Sequence, residues 1–243
     1  ISIALIALIS SFFIKDASKR GEFIQGSYRS SAALLGIAFI HNIYGESAGG
    51  MGPLMILGSV PLYNIFAVII LTLTAKRAAE KTEDQGAMIR STLKGILTNP
   101  IIIGIAAGLI WSLVRIPQPK IFQTLVSDFA ALATPLGLMS MGATFEFQKA
   151  VKDIKPALVA AFIKLFVLAA VFIPVAAVLG FAGEQMVAIL VMLGSATTVS
   201  CYIMAKSMGH EGTLSSSIIM LTTFGCSFSL TFWLFVLKSL ALI

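Results

Sequence analysis

The sequence predicts an all-α polytopic membrane protein with eight transmembrane segments. Three observations carry that reading. Of 243 residues, 58% are hydrophobic and only 12% charged, with a mean hydropathy of +0.96. A soluble domain carries roughly 25% charged residues, so this much apolar surface calls for lipid as its solvent. The apolar residues gather into long runs, none of which alternates with the period of two that a membrane strand requires. Finally, Lys and Arg are concentrated in alternate connections between the runs.

The runs follow in order. The first, 1–14, is shorter than the roughly 20 residues a span needs. With no basic region before it and no small-residue cleavage site after it, it is not expected to be a signal peptide. It is expected to be the end of a helix that begins before Ile1. The second run covers 22–44 and contains Arg29, and the third covers 50–75 within a stretch free of charge from Ser47 to Ala75. Residues 76–94 are polar with mixed charge and are expected to form a partly helical cytoplasmic connector. The fourth run, 97–114, is entered through Asn99-Pro100. The fifth, 121–146, holds Asp128, and the sixth, 156–181, holds Lys164. The seventh covers 185–207 and the eighth 212–241. Pro and Gly interrupt several of them, which helices in lipid tolerate when neighbours satisfy the freed backbone groups.

Odd-numbered connections hold 12 Lys and Arg, against 3 in the even-numbered connections and the C-terminus. The positive-inside rule then puts the odd connections in the cytoplasm and the C-terminus outside. The net charge of +6 and pI near 9.5 are thus topology charges, and no nucleic-acid partner is expected. Cys201 and Cys226 lie in apolar runs without a CxxC or Cys/His cluster, so neither a disulfide framework nor a metal site is indicated, and no cofactor is expected. Gly45-Glu46-Ser47-Ala48-Gly49 spells G-x-S-x-G, but it sits between two membrane segments, not on the strand-to-helix turn of a nucleophile elbow. No enzyme activity is expected. Gly104 and Gly108 form a GxxxG suited to close helix packing.

An internal similarity joins the second and third runs to the seventh and eighth. Residues 43–57 (IYGESAGGMGPLMIL) align with 207–221 (SMGHEGTLSSSIIML) at a spacing of 164, matching Gly45 to Gly209 and Leu57 to Leu221. In both places a helix with small polar residues midway leads through a Gly-containing loop into a long apolar helix. The first copy runs outward and the second inward, the arrangement of an inverted repeat and a signature of transporters. The two midpoints, Tyr28 to Ala33 and Gly194 to Cys201, are rich in small and hydroxyl residues. Helices broken there would aim positive N-terminal ends at an anion; unbroken, the same residues would serve helix packing. The candidate binding residues are Arg29, Ser30, Ser31, Ala196, Thr197, Thr198, Ser200 and Cys201. Arg29 lies about 12 Å along its helix, where it either meets an anion or snorkels toward the cytoplasm. Lys164 poses the same choice, and Asp128, nearer the outer end of its segment, suits a polar partner near the interface.

Four runs resemble a known family. GEFIQGSYRSSAALLGIAFIHNIYG (21–45) is similar to the fourth helix of the auxin efflux carrier family. NPIIIGIAAGL (99–109), TPLGLMSMGATF (134–145) and SATTVSCYIMAKSMGHEGTLSSSIIMLTT (195–223) are similar to its sixth, seventh and ninth-to-tenth helices. The resemblance implies ten helices in two inverted five-helix repeats, with helices four and nine broken, crossing at the midplane and binding a carboxylate-bearing substrate. Residues 1–75 would be the last three helices of the first repeat, with the first two missing, 76–94 the connector, and 95–243 the second repeat. The family often has Asn at the position of Ser31 and Pro at that of Ala38. Its ninth helix commonly has Pro at the positions of Ala196 and Cys201, and in many members Asn at that of Ser200. The resemblance implies a carrier of a small organic anion in the cytoplasmic membrane, working by alternating access, with a homodimer as a candidate assembly. Two alternatives are a sodium-coupled carrier of the bile-acid symporter type, disfavoured by the scarcity of intramembrane acids, and a non-transporting membrane receptor or scaffold.

Overall fold

A computed structural model describes residues 2–45, 50–78, 90, 93–95, 97–115 and 117–243. The expected connector therefore lies largely outside the described residues, as do Glu46 to Gly49 of the G-x-S-x-G motif. Among the described residues every regular element is a helix.

The chain opens with α1 (Ser2–Phe13) and α2 (Ala17–Tyr28). Asp16 starts α2, its carboxylate accepting from the Ser18 N–H at 2.9 Å. After a break comes a π turn (Ala32–Gly36) that runs into α3 (Ile37–Tyr44), then α4 (Met51–Ala78). Next are α5 (Pro100–Val114) and α6 (Lys120–Ala143). Asn99 caps α5 by accepting from the Ile101 and Ile102 N–H groups, and Pro100 suits the first turn, where no N–H is needed. A short α7 (Phe147–Lys152) leads to α8 (Ile154–Phe162), which continues through a second π turn (Ile163–Val167) into α9 (Leu168–Val178). The last three helices are α10 (Glu184–Gly194), α11 (Ser200–Ser207) and α12 (Thr213–Ser239).

Among the described residues four stretches are long and apolar enough to cross a membrane: Met51–Ala75, Lys120–Ala143, Ile154–Val178 and Thr213–Ser239. The sequence suggested eight such runs. The difference has a physical cause. The runs 22–44 and 185–207 are each split into two short helices, while those near 1–14 and 97–114 form helices of 12 and 15 residues.

The split elements hold the centre. α2 packs against α1, α4, α8 and α12, and its last eight residues are all buried. Phe23, Ile24 and Tyr28 share a core with Ala157, Ala160, Leu214 and Ile218. Glu22, also buried, ties α2 to α12: its two carboxylate oxygens accept from the Gly212 and Ser215 N–H groups, each at 2.8 Å. It thereby satisfies donors that a helix start leaves open and sets a negative charge at the positive end of the helix dipole. At the same end of the bundle, the Lys19 ammonium donates to both oxygens of Asp153 at 2.7 and 2.8 Å, and this bond holds it above the usual lysine range.

The order helix, break, helix, glycine turn, long helix occurs twice. Shifted by 164 residues, α3 falls on α11 to within one residue and α4 starts within two residues of α12. Gly45 and Gly209, the matched glycines, both have positive φ, at 62° and 83°, a conformation that glycine adopts without a steric penalty.

Candidate functional site

α2 stops at Tyr28, and Arg29 is extended (φ −71°, ψ 138°). α10 stops at Gly194, and Ser195 is likewise extended (φ −77°, ψ 165°). The two breaks touch: the Ser31 N–H donates to the Ala196 carbonyl at 2.9 Å. Neither break contains proline. Both persist because neighbours take up backbone groups that a continuous helix would have paired. The Thr222 hydroxyl accepts from the Thr197 N–H at 3.0 Å, and the Thr197 hydroxyl donates to the Gly26 carbonyl at 2.7 Å. Gln25 donates to the Cys201 carbonyl at 3.0 Å.

The ends of the interrupted helices are treated unequally. On the C-terminal side, the fully buried Lys164 reaches in from the second π turn. Its ammonium donates toward the carbonyls of Leu193 at 2.9 Å, Met192 at 3.2 Å and Tyr28 at 3.3 Å, and toward the Ser30 hydroxyl. A cation thus sits where two helix dipoles present their negative ends. The Ser30 hydroxyl in turn donates to the Met192 carbonyl. On the N-terminal side, Ser31 before the π turn and Val199 before α11 make no side-chain capping bond.

Arg29 does not reach the bundle surface: it is 2% exposed. Its Nη2 donates to Asn64 Oδ1 and to Ser200 Oγ, each at 2.8 Å, and its Nη1 faces the Met204 sulfur at 3.4 Å. Nε has no partner. Among the described residues no carboxylate lies within ion-pairing distance of Arg29 or Lys164; the ion pairs there join Lys19 to Asp153 and Lys149 to Glu146 and Glu211. Arg29 lines a cavity of about 250 Å³ with Ser30, Tyr63, Asn64 and Thr134. A second cavity, of about 300 Å³, is more apolar, with Leu35, Leu138, Ile203 and Ile219 in its wall. Ser31, Thr134, Thr198 and Ser200 border both, so the two cavities flank the crossing. α6 closes them because Gly137 lets it approach α11. A Cβ there would come within 2.9 Å of Ile203 Cδ1 and 3.0 Å of Val199 Cγ1.

Of the residues singled out in the sequence, Arg29, Ser30, Ser31, Thr198 and Ser200 line the polar cavity, and Ala196 and Thr197 line the apolar one. Cys201 lies behind the crossing, fully buried against Gln25. Lys164 braces the opposite side and lines neither cavity. Asp128 is exposed on α6 and is not part of the crossing. Asn64, Tyr63 and Thr134 join the polar cavity without having stood out in the sequence. Asn64 did leave a signal: it is the only side-chain amide in the charge-free stretch from Ser47 to Ala75. A larger, more open cleft of about 780 Å³ between α5 and α6 touches none of these residues.

An all-helical chain with membrane-length helices, and with two broken helices meeting at a buried polar cavity, has the build of a membrane transporter. The chain belongs to the membrane transport protein family, the auxin efflux carrier or PIN-like group, whose family model matches residues 1–234. No curated protein and no solved structure matches the chain.

Proposed function

We propose that this transporter carries a small organic anion across the cytoplasmic membrane by alternating access, and that the anion sits at the crossing against Arg29. The observation that carries the reading is a buried guanidinium that lines a cavity and, among the described residues, has no carboxylate partner and an Nε–H without an acceptor. A buried charge without a counter-charge is costly, and a bound anion relieves the cost. Two helix N-terminal ends border the same cavities without side-chain caps, which adds partial positive charge. Ser31, Thr198 and Ser200 supply neutral hydrogen bonds. The repeated order of elements is read as two inverted halves, which gives the crossing an approximate two-fold relation between cytoplasm and exterior. A sodium-coupled reading is less favoured: the buried carboxylate of Glu22 is already occupied by two backbone N–H groups.

The test is anion uptake and binding in three variants. Arg29→Ala should lose most activity. Arg29→Lys should keep some, because it retains the charge but loses the planar fork that grips a carboxylate. Ser31→Ala should cost about 1 kcal/mol of binding, one neutral hydrogen bond. Equal transport by the Arg29→Ala and Arg29→Lys proteins, corrected for folded amount, would remove Arg29 from the site.

A further inference from the structure

Asn64 is the residue on which Arg29 rests, and its chemistry is specific. Its Oδ1 accepts from Arg29 Nη2 at 2.8 Å, and its Nδ2 donates to the Val60 carbonyl, one turn earlier in α4, at 2.9 Å. A guanidinium can only donate and a carbonyl can only accept, so a single amide orientation satisfies both neighbours. Asn64 is 4% exposed, and it lines the same cavity as Arg29. Nη2 is therefore saturated by Asn64 and Ser200, whereas Nη1 meets only a thioether, a weak acceptor, and Nε meets nothing. The guanidinium is pinned through one nitrogen and keeps donors in reserve on the others.

We infer that Asn64 is a positioning residue that aims the Arg29 guanidinium at the anion while leaving its charge uncancelled. This deepens the anion-carrier reading and rests on it. An aspartate at the same position would have nearly the same shape and the same accepting oxygen; it would give up the bond to the Val60 carbonyl and bring a permanent counter-ion within hydrogen-bond distance of Arg29. In a low-dielectric site, opposite charges that close compete directly with any incoming anion. A leucine would keep the bulk but remove the acceptor, so that the guanidinium would lose its aim and keep its charge.

The experiment compares the wild-type chain with Asn64→Asp and Asn64→Leu, purified in detergent. Malonate, lactate and benzoate serve as probe anions near neutral pH, and calorimetric affinity is measured beside the unfolding temperature of each ligand-free protein. Asn64→Asp should weaken binding of whichever anion the wild type takes by about 100-fold or more, while its unfolding temperature stays close to that of the wild type, the ion pair gained with Arg29 offsetting the lost bond to the Val60 carbonyl. Asn64→Leu should weaken binding by about tenfold. A merely structural role would instead lower affinity and unfolding temperature together in both variants. Binding by the Asn64→Asp protein within threefold of wild type overturns the inference and leaves the anion-carrier reading standing. If that variant does not fold, wild-type affinity in Asn64→Leu overturns the inference on its own. Failure of the wild-type protein to bind any probe counts against the anion reading itself, and the inference falls with it.

Discussion

Replacing Lys164 with Met tests whether the crossing is held by one buried cation. The ammonium has three N–H donors and faces four acceptors: three carbonyls at 2.9 to 3.3 Å and the Ser30 hydroxyl. At most three bonds form at once, each worth about 1.5–3 kcal/mol for a charged donor, a gross contribution of about 5–9 kcal/mol. Against this stands the several kcal/mol that it costs to desolvate the ammonium, which the Met variant recovers. The variant also takes the side-chain donor from the carbonyls of Tyr28 and Leu193 in a dry interior, at a further cost, while Ser30 still donates to that of Met192. The net expectation is a destabilisation of about 2–4 kcal/mol. For a chain of this size each kcal/mol moves the unfolding temperature by about 2–4 °C, so a thermal melt of purified protein should shift down by about 4–16 °C. Lys164→Arg should fall between the two, with a charge retained but a planar head in a space shaped for an ammonium. An unfolding temperature within about 2 °C of wild type in the Met variant would refute the claim that Lys164 braces the two helix ends.

Two further predictions concern the chain away from the cavity. A reporter inserted within Ala75–Lys94 should report cytoplasmic and one fused after Ile243 external; the reverse labelling would overturn the charge-based topology. Because the bond to Asp153 raises the Lys19 value, the contribution of this pair is fully present below the ordinary lysine value and is lost as pH rises through the raised one. Asp153→Asn should therefore destabilise the protein at pH 7 by about 1 kcal/mol or less, since Lys19 is 34% exposed. The difference from wild type should vanish in strongly alkaline melts, and a constant difference across pH would show that packing, not charge, is lost.

The fold was legible where apolar length alone decides it. The runs 50–75, 121–146, 156–181 and 212–241 reappear as helices with ends shifted by a few residues. The breaks were legible for another reason: small hydroxyl residues at mid-depth are poor at sustaining a helix yet able to satisfy an interrupted one, as the Thr197 hydroxyl does for the Gly26 carbonyl. The fates of the two lone cations were not legible. A single Arg or Lys in an apolar run looks the same whether it will snorkel, meet a ligand or brace a helix end, because the partners that decide are distant in sequence. Lys164 meets Tyr28 and Leu193, and Arg29 meets Asn64 and Ser200. Asn64 was missed on the same ground, since a lone amide in a long helix gains meaning only once Arg29 is placed against it.

These placements together say how the proposed anion site would work with no carboxylate, among the described residues, in ion-pairing distance of Arg29 or Lys164. Interrupting two helices creates two negative and two positive ends at one depth, and by itself this favours neither sign of ligand. Lys164 removes the symmetry by occupying the carbonyls of Tyr28, Met192 and Leu193. A cation entering the cavities would find those carbonyls already taken and the Arg29 guanidinium facing it. The ends at Ser31 and Val199 carry no such plug; they border open space next to the same guanidinium. One buried cation thus closes the half of the crossing that would attract positive charge, and the other charges the half left open. Exchanging their roles by placing an acid at position 29 would leave positive ends facing a negative side chain, a self-neutralised pocket in which no organic anion should bind.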